Sequence, residues 1–291
     1  MPSLQQLVAE ELALPVDPRV SAMAAAIAAK HGAASRAVLF YGSCLRQKQL
    51  DDAEGGGMML DFYLIVSDYR AAYGKAWMAV ANRLIPPNVF YFEHDGLVAK
   101  YAVLSLDDFH RLNGPETANV SVWARFAQPS RLVWLDSSAQ DRIVESVARA
   151  APTLLAAAGR REGEAALDWW RRAFALTYSA ELRAEPKGKG RSVVDMDIER
   201  YEAFSRPAIA AIAAQPSSRA TWAGRRLQGK FLSVARLAKA SATFAGGADY
   251  IAWKINRHAG TNIELKPWQR RWPLLAAITL LPKLLRSGAV R

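Results

Sequence analysis

Cysteine is nearly missing from this 291-residue chain, and the single Cys44 excludes an intrachain disulfide framework. That usage fits a reducing compartment. Long apolar runs are missing as well. A bilayer-spanning helix needs roughly 20 consecutive apolar residues. The longest candidate, Pro273 to Leu281, is shorter and gives way to Pro282 and Lys283. Gln5, Glu10 and Glu11 stand where a secretory signal would carry a basic region and then an apolar one, so no signal is expected. The expectation is a soluble or peripheral protein. Histidine is scarce, and His94 and His110 lack the partner spacing of a metal site, while His258 falls in a basic stretch. All three are expected to be structural. Internal repeats and long low-complexity tracts are also absent.

What the chain does have is an uneven charge. Residues 1–150 hold 14 Lys and Arg against 16 Asp and Glu, residues 151–205 hold 9 of each, and residues 206–291 hold 15 against 2. The whole net excess of +11 therefore sits in the last part of the chain. Such a block implies an anionic partner, either nucleic acid or an anionic membrane surface.

Hydrophobic spacing gives the organisation. Residues 4–13 and 18–31 read as helices separated by Pro15 and Pro18, and His31-Gly32 ends the second. Ala37 to Tyr41 and Leu60 to Val66 read as buried strands, with a glycine-rich loop at 51–57 between them. Residues 44–50 allow a short helix, and Tyr73 to Leu84 has helical spacing that stops at Pro86-Pro87. Asn88 to Glu93 and Leu97 to Leu104 read as a hairpin turning at His94-Asp95-Gly96. From Leu106, with Ser105 as helix cap and Asp108 as a capping-box acid, the pattern becomes mostly helical, punctuated by Pro207, Pro216, Pro267 and Pro273. The expected fold is α+β: a nucleotidyltransferase-like mixed sheet with helices on one side, then a mostly helical part and a basic amphipathic C-terminal segment. The expected division is 1–120, 121–266 and 267–291, with the first boundary somewhere in 105–140.

The chemistry-bearing motif is Tyr41-Gly42-Ser43 at the end of the first strand, followed by Asp61 near the start of the second. Nucleotidyl transfer needs a held triphosphate, a metal ion bridging the reacting phosphate, and positive charge to offset the pyrophosphate leaving group. Gly42 permits close backbone approach to a phosphate. The Ser43 hydroxyl and neighbouring N–H groups can donate to phosphate oxygens. Asp61 would hold Mg²⁺, a hard cation that takes oxygen ligands. Taken alone, Gly-Ser followed by a later Asp is also compatible with an ordinary turn. Asp51, Asp52 and Glu54 fall in the flexible loop and are expected to face solvent.

More of the chain follows an ordered set of short motifs. Tyr41-Gly42-Ser43-Cys44 with Gln47 is followed by Leu60-Asp61-Phe62, Tyr91-Phe92-Glu93 and Ala99-Lys100-Tyr101-Ala102-Val103. Ala124-Arg125-Phe126-Ala127-Gln128-Pro129 and Thr177-Tyr178-Ser179-Ala180-Glu181-Leu182-Arg183 come next. In order and rough spacing, over residues 38–200, this resembles the mitochondrial-type phosphatidate cytidylyltransferases, the translocator assembly and maintenance type of CDP-diacylglycerol synthase. The resemblance implies transfer of CMP from CTP to phosphatidate, with Mg²⁺, giving CDP-diacylglycerol and pyrophosphate. It implies that Gly42 and Ser43 bind the triphosphate, Asp61 binds the metal, and Lys100 and Arg125 neutralise phosphates. Arg183 and the Lys187-Gly188-Lys189 loop would close over the nucleotide or lipid headgroup. It also implies a peripheral protein on the cytoplasmic face of an inner membrane, or on the matrix face in a mitochondrion. Four positions depart from the family pattern: Cys44, Ala102 and Ser179 replace glycines, and Glu93 replaces an asparagine. Tyr63 stands where many nucleotidyltransferases have a second acid, which leaves Glu93 as the candidate second metal ligand.

The C-terminal stretch Trp268-Gln269-Arg270-Arg271-Trp272-Pro273 precedes Leu274, Ile278, Leu281 and Leu285, a single helical stripe that Pro282 should kink. Lys283 and Arg286 flank it. Tryptophans and arginines beside a short apolar helix suit a membrane interface. Trp268, Arg270, Arg271, Trp272, Lys283 and Arg286 are therefore the expected docking residues. Each cation near an anionic surface contributes about 1 kcal/mol. No nucleic-acid-binding module is recognisable, so nucleic acid is not an expected partner. Transfer to another phospholipid or a polyprenyl phosphate, and a catalytically degenerate membrane scaffold, remain open from the residues.

Overall fold

The computed structural model describes residues 2–46, 59–181, 193–216, 218, 220–243 and 264–271. Among them are a five-stranded mixed sheet and twelve α-helices, an α+β arrangement. Helices α1 (Leu4–Leu12) and α2 (Pro18–His31) lead into β1 (Ser35–Tyr41) and β2 (Met59–Val66). Two short helices, α3 (Tyr69–Ala72) and α4 (Ala76–Leu84), precede the hairpin β3 (Asn88–His94) and β4 (Leu97–Ser105). Helices α5 (Leu106–Asn113) and α6 (Ser121–Phe126) come before β5 (Ser130–Leu135). Then follow α7 (Gln140–Ala148), α8 (Ala150–Ala158), α9 (Ala166–Ala180), α10 (Ile198–Ile212), α11 (Trp222–Thr243) and α12 (Pro267–Arg271).

Several helix starts obey capping chemistry. The Ser3 hydroxyl accepts from the Gln6 backbone while the Gln6 side chain returns the bond, and Asp17 caps α2 ahead of Pro18. Ser105 caps α5 through the Asp108 N–H at 3.2 Å, whereas the Asp108 carboxylate takes the Tyr69 hydroxyl at 2.6 Å. The hairpin turns through Asp95 and Gly96, both with positive φ (48° and 74°). That geometry matches the strand twist, and a glycine adopts it freely.

Strand order across the sheet is β3-β4-β2-β1-β5. β2 and β4 run parallel, and the other neighbours are antiparallel. Both faces are covered, which corrects the expectation of helices on one side. Leu39, Tyr63, Ile65, Ala102 and Leu104 pack under α1 and α5 to α10. Val38, Phe40, Phe62, Leu64, Tyr101 and Val103 pack under α2, α3 and α4. The nearly continuous apolar runs of β1 and β2 reflect this, because a strand buried on both faces has no polar side to alternate.

Three further details differ from the sequence reading. Ser130–Leu135 lies in the stretch read as mostly helical, yet it pairs with β1 as an edge strand. The sheet thus draws on residues both sides of position 120. The helical spacing of 73–84 forms a helix only from Ala76, and a separate short helix, Tyr69–Ala72, precedes it. Helix α10 runs through Pro207 where a break was expected. Tyr201, Phe204, Ser205 and Ala208 are buried along that helix, and their packing outweighs a proline cost of about 3 kcal/mol. No helix among the described residues is long and apolar enough to cross a membrane.

Candidate active site

Strand register brings the polar residues together. Tyr41 at the end of β1 pairs with Asp61 at the start of β2, and Asp61 pairs with Lys100 of β4. Paired residues point to the same face of a sheet. Tyr41, Asp61 and Lys100 therefore continue the row that Leu39, Tyr63 and Ala102 fill with apolar contacts, and they do so at the end of that face. There the row changes from core to site.

The Lys100 ammonium stands 3.0 Å from Asp61 Oδ1, and both side chains keep partial access to solvent. Beyond this ion pair, that buried carboxylate oxygen accepts no hydrogen bond. Gly42 follows directly with φ of +96°, and a Cβ there would stand 3.2 Å from Asp61 Oδ2. Glycine is thus required twice, for the backbone angle and for the approach of the carboxylate. Ser43 is exposed and opens a 3₁₀ turn, Ser43–Arg46.

Cys44, where the resembled family has glycine, does not block this turn. Its side chain is buried in the core under α2, and its thiol donates to the Met59 carbonyl at 3.4 Å. Burial, followed by the charge of Asp61, pushes the thiol pKa up. It stays protonated at neutral pH and offers no thiolate nucleophile.

Helix α6 adds Arg125. Its guanidinium carbon lies 5.7 Å from the centre of the Tyr41 ring, and Nη1 donates to the Ser121 carbonyl at 2.8 Å. Burial works against this charge, but Tyr63, Tyr41, Glu181 and Asp61 outweigh it and hold the guanidinium pKa above its ordinary value. Burial and Asp61 likewise push the Tyr41 hydroxyl well up, so it remains a neutral phenol.

The structure thus gathers Gly42, Asp61, Lys100 and Arg125, with Ser43 opening the turn that follows Gly42. It leaves Glu93 apart. Glu93 is exposed near the tip of β3, pairs with Val98, and accepts from the Tyr91 hydroxyl at 3.3 Å. Two strand spacings of about 4.8 Å separate β3 from β2, so Glu93 does not stand beside Asp61 as a second ligand. Among the described residues no group of three or more His, Cys, Asp or Glu side chains could hold a metal. Arg183 and Lys187 lie outside the described residues, as do Trp272, Lys283 and Arg286. Trp268 is half exposed on α12, and Gln269 beside it is buried. Arg270 and Arg271 belong to the same helix.

Three participants escaped the sequence reading: Tyr41 as the ring beneath Arg125, Glu181 as its counter-charge, and Arg236 of α11, which approaches Arg125. Lack of any acid in residues 222–243 is the one sequence signal that pointed to α11. No protein-family model matches the chain, and a search of curated proteins finds no match.

Proposed function

We propose that this protein is a Mg²⁺-dependent nucleotidyltransferase that moves CMP from CTP to phosphatidate, giving CDP-diacylglycerol and pyrophosphate. The observation that carries the reading is the Asp61 carboxylate, with a buried oxygen free of hydrogen bonds, pressed against a positive-φ glycine turn and faced by Lys100 and Arg125. Mg²⁺ commonly takes one or two carboxylates and fills its remaining positions with phosphate oxygens and water. One carboxylate therefore suffices, and Asp61 would supply it. When bound, the ion offsets charge on the phosphates as the phosphatidate oxygen attacks the α-phosphorus and pyrophosphate departs. In the same reading the Gly42 backbone lies close to the triphosphate, Lys100 releases Asp61 and turns to a phosphate oxygen, and Arg125 offers its planar fork.

CTP and phosphatidate are chosen on the resemblance carried by Tyr41-Gly42-Ser43, Asp61-Phe62, Lys100-Tyr101 and Arg125. A lipid acceptor draws support from α4. Trp77, Val80 and Leu84 are exposed on one stripe of that helix, with exposed Lys75 and Arg83 at its ends and no acid within it. Apolar side chains flanked by cations suit the headgroup region of an anionic membrane. A peripheral position on the cytoplasmic or matrix face of an inner membrane follows from the same reading.

A second reading, a catalytically silent membrane scaffold, is favoured by the Asp61–Lys100 contact, which neutralises the carboxylate assigned to the metal. Pyrophosphate release from CTP with Mg²⁺ and phosphatidate in mixed micelles separates the two, with ATP, GTP and UTP in parallel. CTP-specific, phosphatidate-dependent release is expected. Micelle binding without release from any nucleotide, with polyprenyl phosphate and other phospholipids also inert as acceptors, favours the scaffold.

A further inference from the structure

Helix α11 reaches the site from outside the sheet. Its Gly229 passes so close to the end of α9 that an added Cβ would meet the Ala180 carbonyl oxygen at 2.2 Å. Two turns further along, Arg236 reaches the loop before β3 and the start of α6. Nε donates to the Pro86 carbonyl at 2.8 Å and Nη1 to the Ser121 hydroxyl at 2.6 Å. Nη2 is buried and has no hydrogen-bond partner. Ser121 thus holds two guanidiniums at once: its carbonyl takes Arg125 and its hydroxyl takes Arg236. The hydroxyl in turn donates to Asn119 Oδ1 at 2.6 Å, which fixes the orientation of the bridge.

Two like charges held by one small residue repel each other. Burial lowers the Arg236 pKa, and among the neighbouring charges Glu181 supports it while Arg125 opposes it. Glu181 and Asp61 thus face three cations, Arg125, Arg236 and Lys100, which leaves a cationic excess. A buried donor left without an acceptor costs about 1–3 kcal/mol, more when charged. Both features are relieved by the same event, the arrival of an anion.

We propose that Arg125 and Arg236, bridged by Ser121, form a two-guanidinium clamp for a phosphate group of a polyphosphate ligand. The unpartnered Nη2 of Arg236 is the donor aimed at that ligand. The inference rests on the nucleotidyl-transfer reading for its ligand class, and it adds a residue from a separate helix to that site. Because Asp61 and Lys100 pair with each other while Arg125 and Arg236 share Ser121, the ligand spans two charge centres: one group at Asp61 and Lys100, and a second at the clamp. A single phosphate fills one centre, and a di- or triphosphate fills both. Helix α11 is fixed against α9 at Gly229 and against the Ile85 to Pro87 backbone through Arg236 and Lys239. Filling the clamp therefore also ties α11 down.

Calorimetric titration of the full chain with inorganic tripolyphosphate, pyrophosphate and orthophosphate tests this. Tripolyphosphate is expected to bind tighter than orthophosphate. Arg236→Gln is expected to weaken tripolyphosphate about ten- to a hundredfold, the loss of a charge-assisted contact, with little change for orthophosphate. Arg236→Lys, which keeps the charge and loses the fork, is expected to weaken it about tenfold. Hydrogen exchange on the unmodified protein supplies a reading that needs no variant: tripolyphosphate should slow exchange across residues 222–243. Affinities within twofold of wild type in both variants overturn the clamp, as does tripolyphosphate that neither binds nor slows exchange. Nucleotide turnover measured on the same preparations keeps the two readings apart. Turnover with an Arg236-independent affinity overturns the clamp alone. Arg236-dependent binding without turnover from any nucleotide supports the clamp and removes the transferase reading.

Discussion

Two charge pairs tie distant parts of this chain together, one buried and one partly open to solvent, and they are finished in opposite ways. Glu11 of α1 meets Arg200 of α10 through both carboxylate oxygens, with Nη2 at 3.0 Å from Oε1 and Nε on Oε2. The remaining Nη1 donates to the Ala127 carbonyl at 3.2 Å, and the guanidinium carbon lies over Phe204 at 4.3 Å and Tyr201 at 4.9 Å. Each nitrogen of that fork has an acceptor. Asp61 Oδ1 meets the Lys100 ammonium at 3.0 Å yet accepts no hydrogen bond, and Nη2 of Arg236 likewise has none. A saturated pair holds a fold together. An unsaturated one costs stability in the free protein, and the cost is recovered only when something binds.

Breaking the saturated pair should have the largest effect on folding. Arg200→Ala strands the Glu11 carboxylate among buried neighbours, and the expected loss is about 3–5 kcal/mol in urea unfolding. Turnover per folded molecule should stay near wild type. A loss under about 1 kcal/mol would mean that saturation does not mark structural pairs here.

Gly42→Ala acts at the open pair. The backbone angle of +96° and the 3.2 Å approach to Asp61 both resist a side chain. Strain of about 1–3 kcal/mol is expected, together with a fall in turnover larger than the loss of stability explains. Wild-type turnover in this variant would show that no ligand approaches the turn.

Much of the sheet was legible because β1, β2 and the hairpin are apolar runs bounded by turn residues, and Asp95-Gly96 names its own turn. The second helical layer was less so, although the unbroken run Phe62 to Val66 already signals burial on both faces. β5 was hidden because Ser130 to Leu135 is short and sits between helices, with its pairing to β1 decided by tertiary contact. Gly42, Asp61 and Lys100 were legible as neighbours because strand register follows from local pattern. Arg236 was not: a residue over 170 positions from Asp61 in sequence joins the site through helix packing, which no spacing encodes.

A milder sharpening uses α4. Trp77→Ser with Leu84→Ser removes two exposed apolar side chains. About a tenfold weaker partition onto phosphatidate-containing liposomes is expected, at the usual value of about 25 cal/mol per Å² of apolar surface, with urea stability unchanged. Equal sedimentation of variant and wild type would remove α4 from the membrane face.

The smallest effect is expected at His31, another saturated group. Nδ1 lies 3.1 Å from the Ala72 carbonyl and Nε2 3.1 Å from the Tyr101 hydroxyl, which suits the neutral ring. Burial first, with Lys30 adding to it, lowers the His31 pKa against the pull of the Ala72 carbonyl. The unfolded chain therefore binds the proton more readily, so the His31 contribution is present above about pH 6.5 and is lost as pH falls through the folded value. Stability should decline from pH 7.5 to 5, and His31→Gln should decline less. Parallel decline in both proteins would place the acid sensitivity elsewhere.

Asp61→Asn gives the most direct test, read as pyrophosphate release from CTP and phosphatidate beside urea unfolding of the same sample. The substitution keeps the shape and removes the metal-holding charge. The expected result is a loss of turnover of about a hundred- to a thousandfold, of the order of removing a principal electrostatic group, with the unfolding midpoint held or raised. Turnover within a few-fold of wild type would contradict the assignment of Asp61 as the centre of the site.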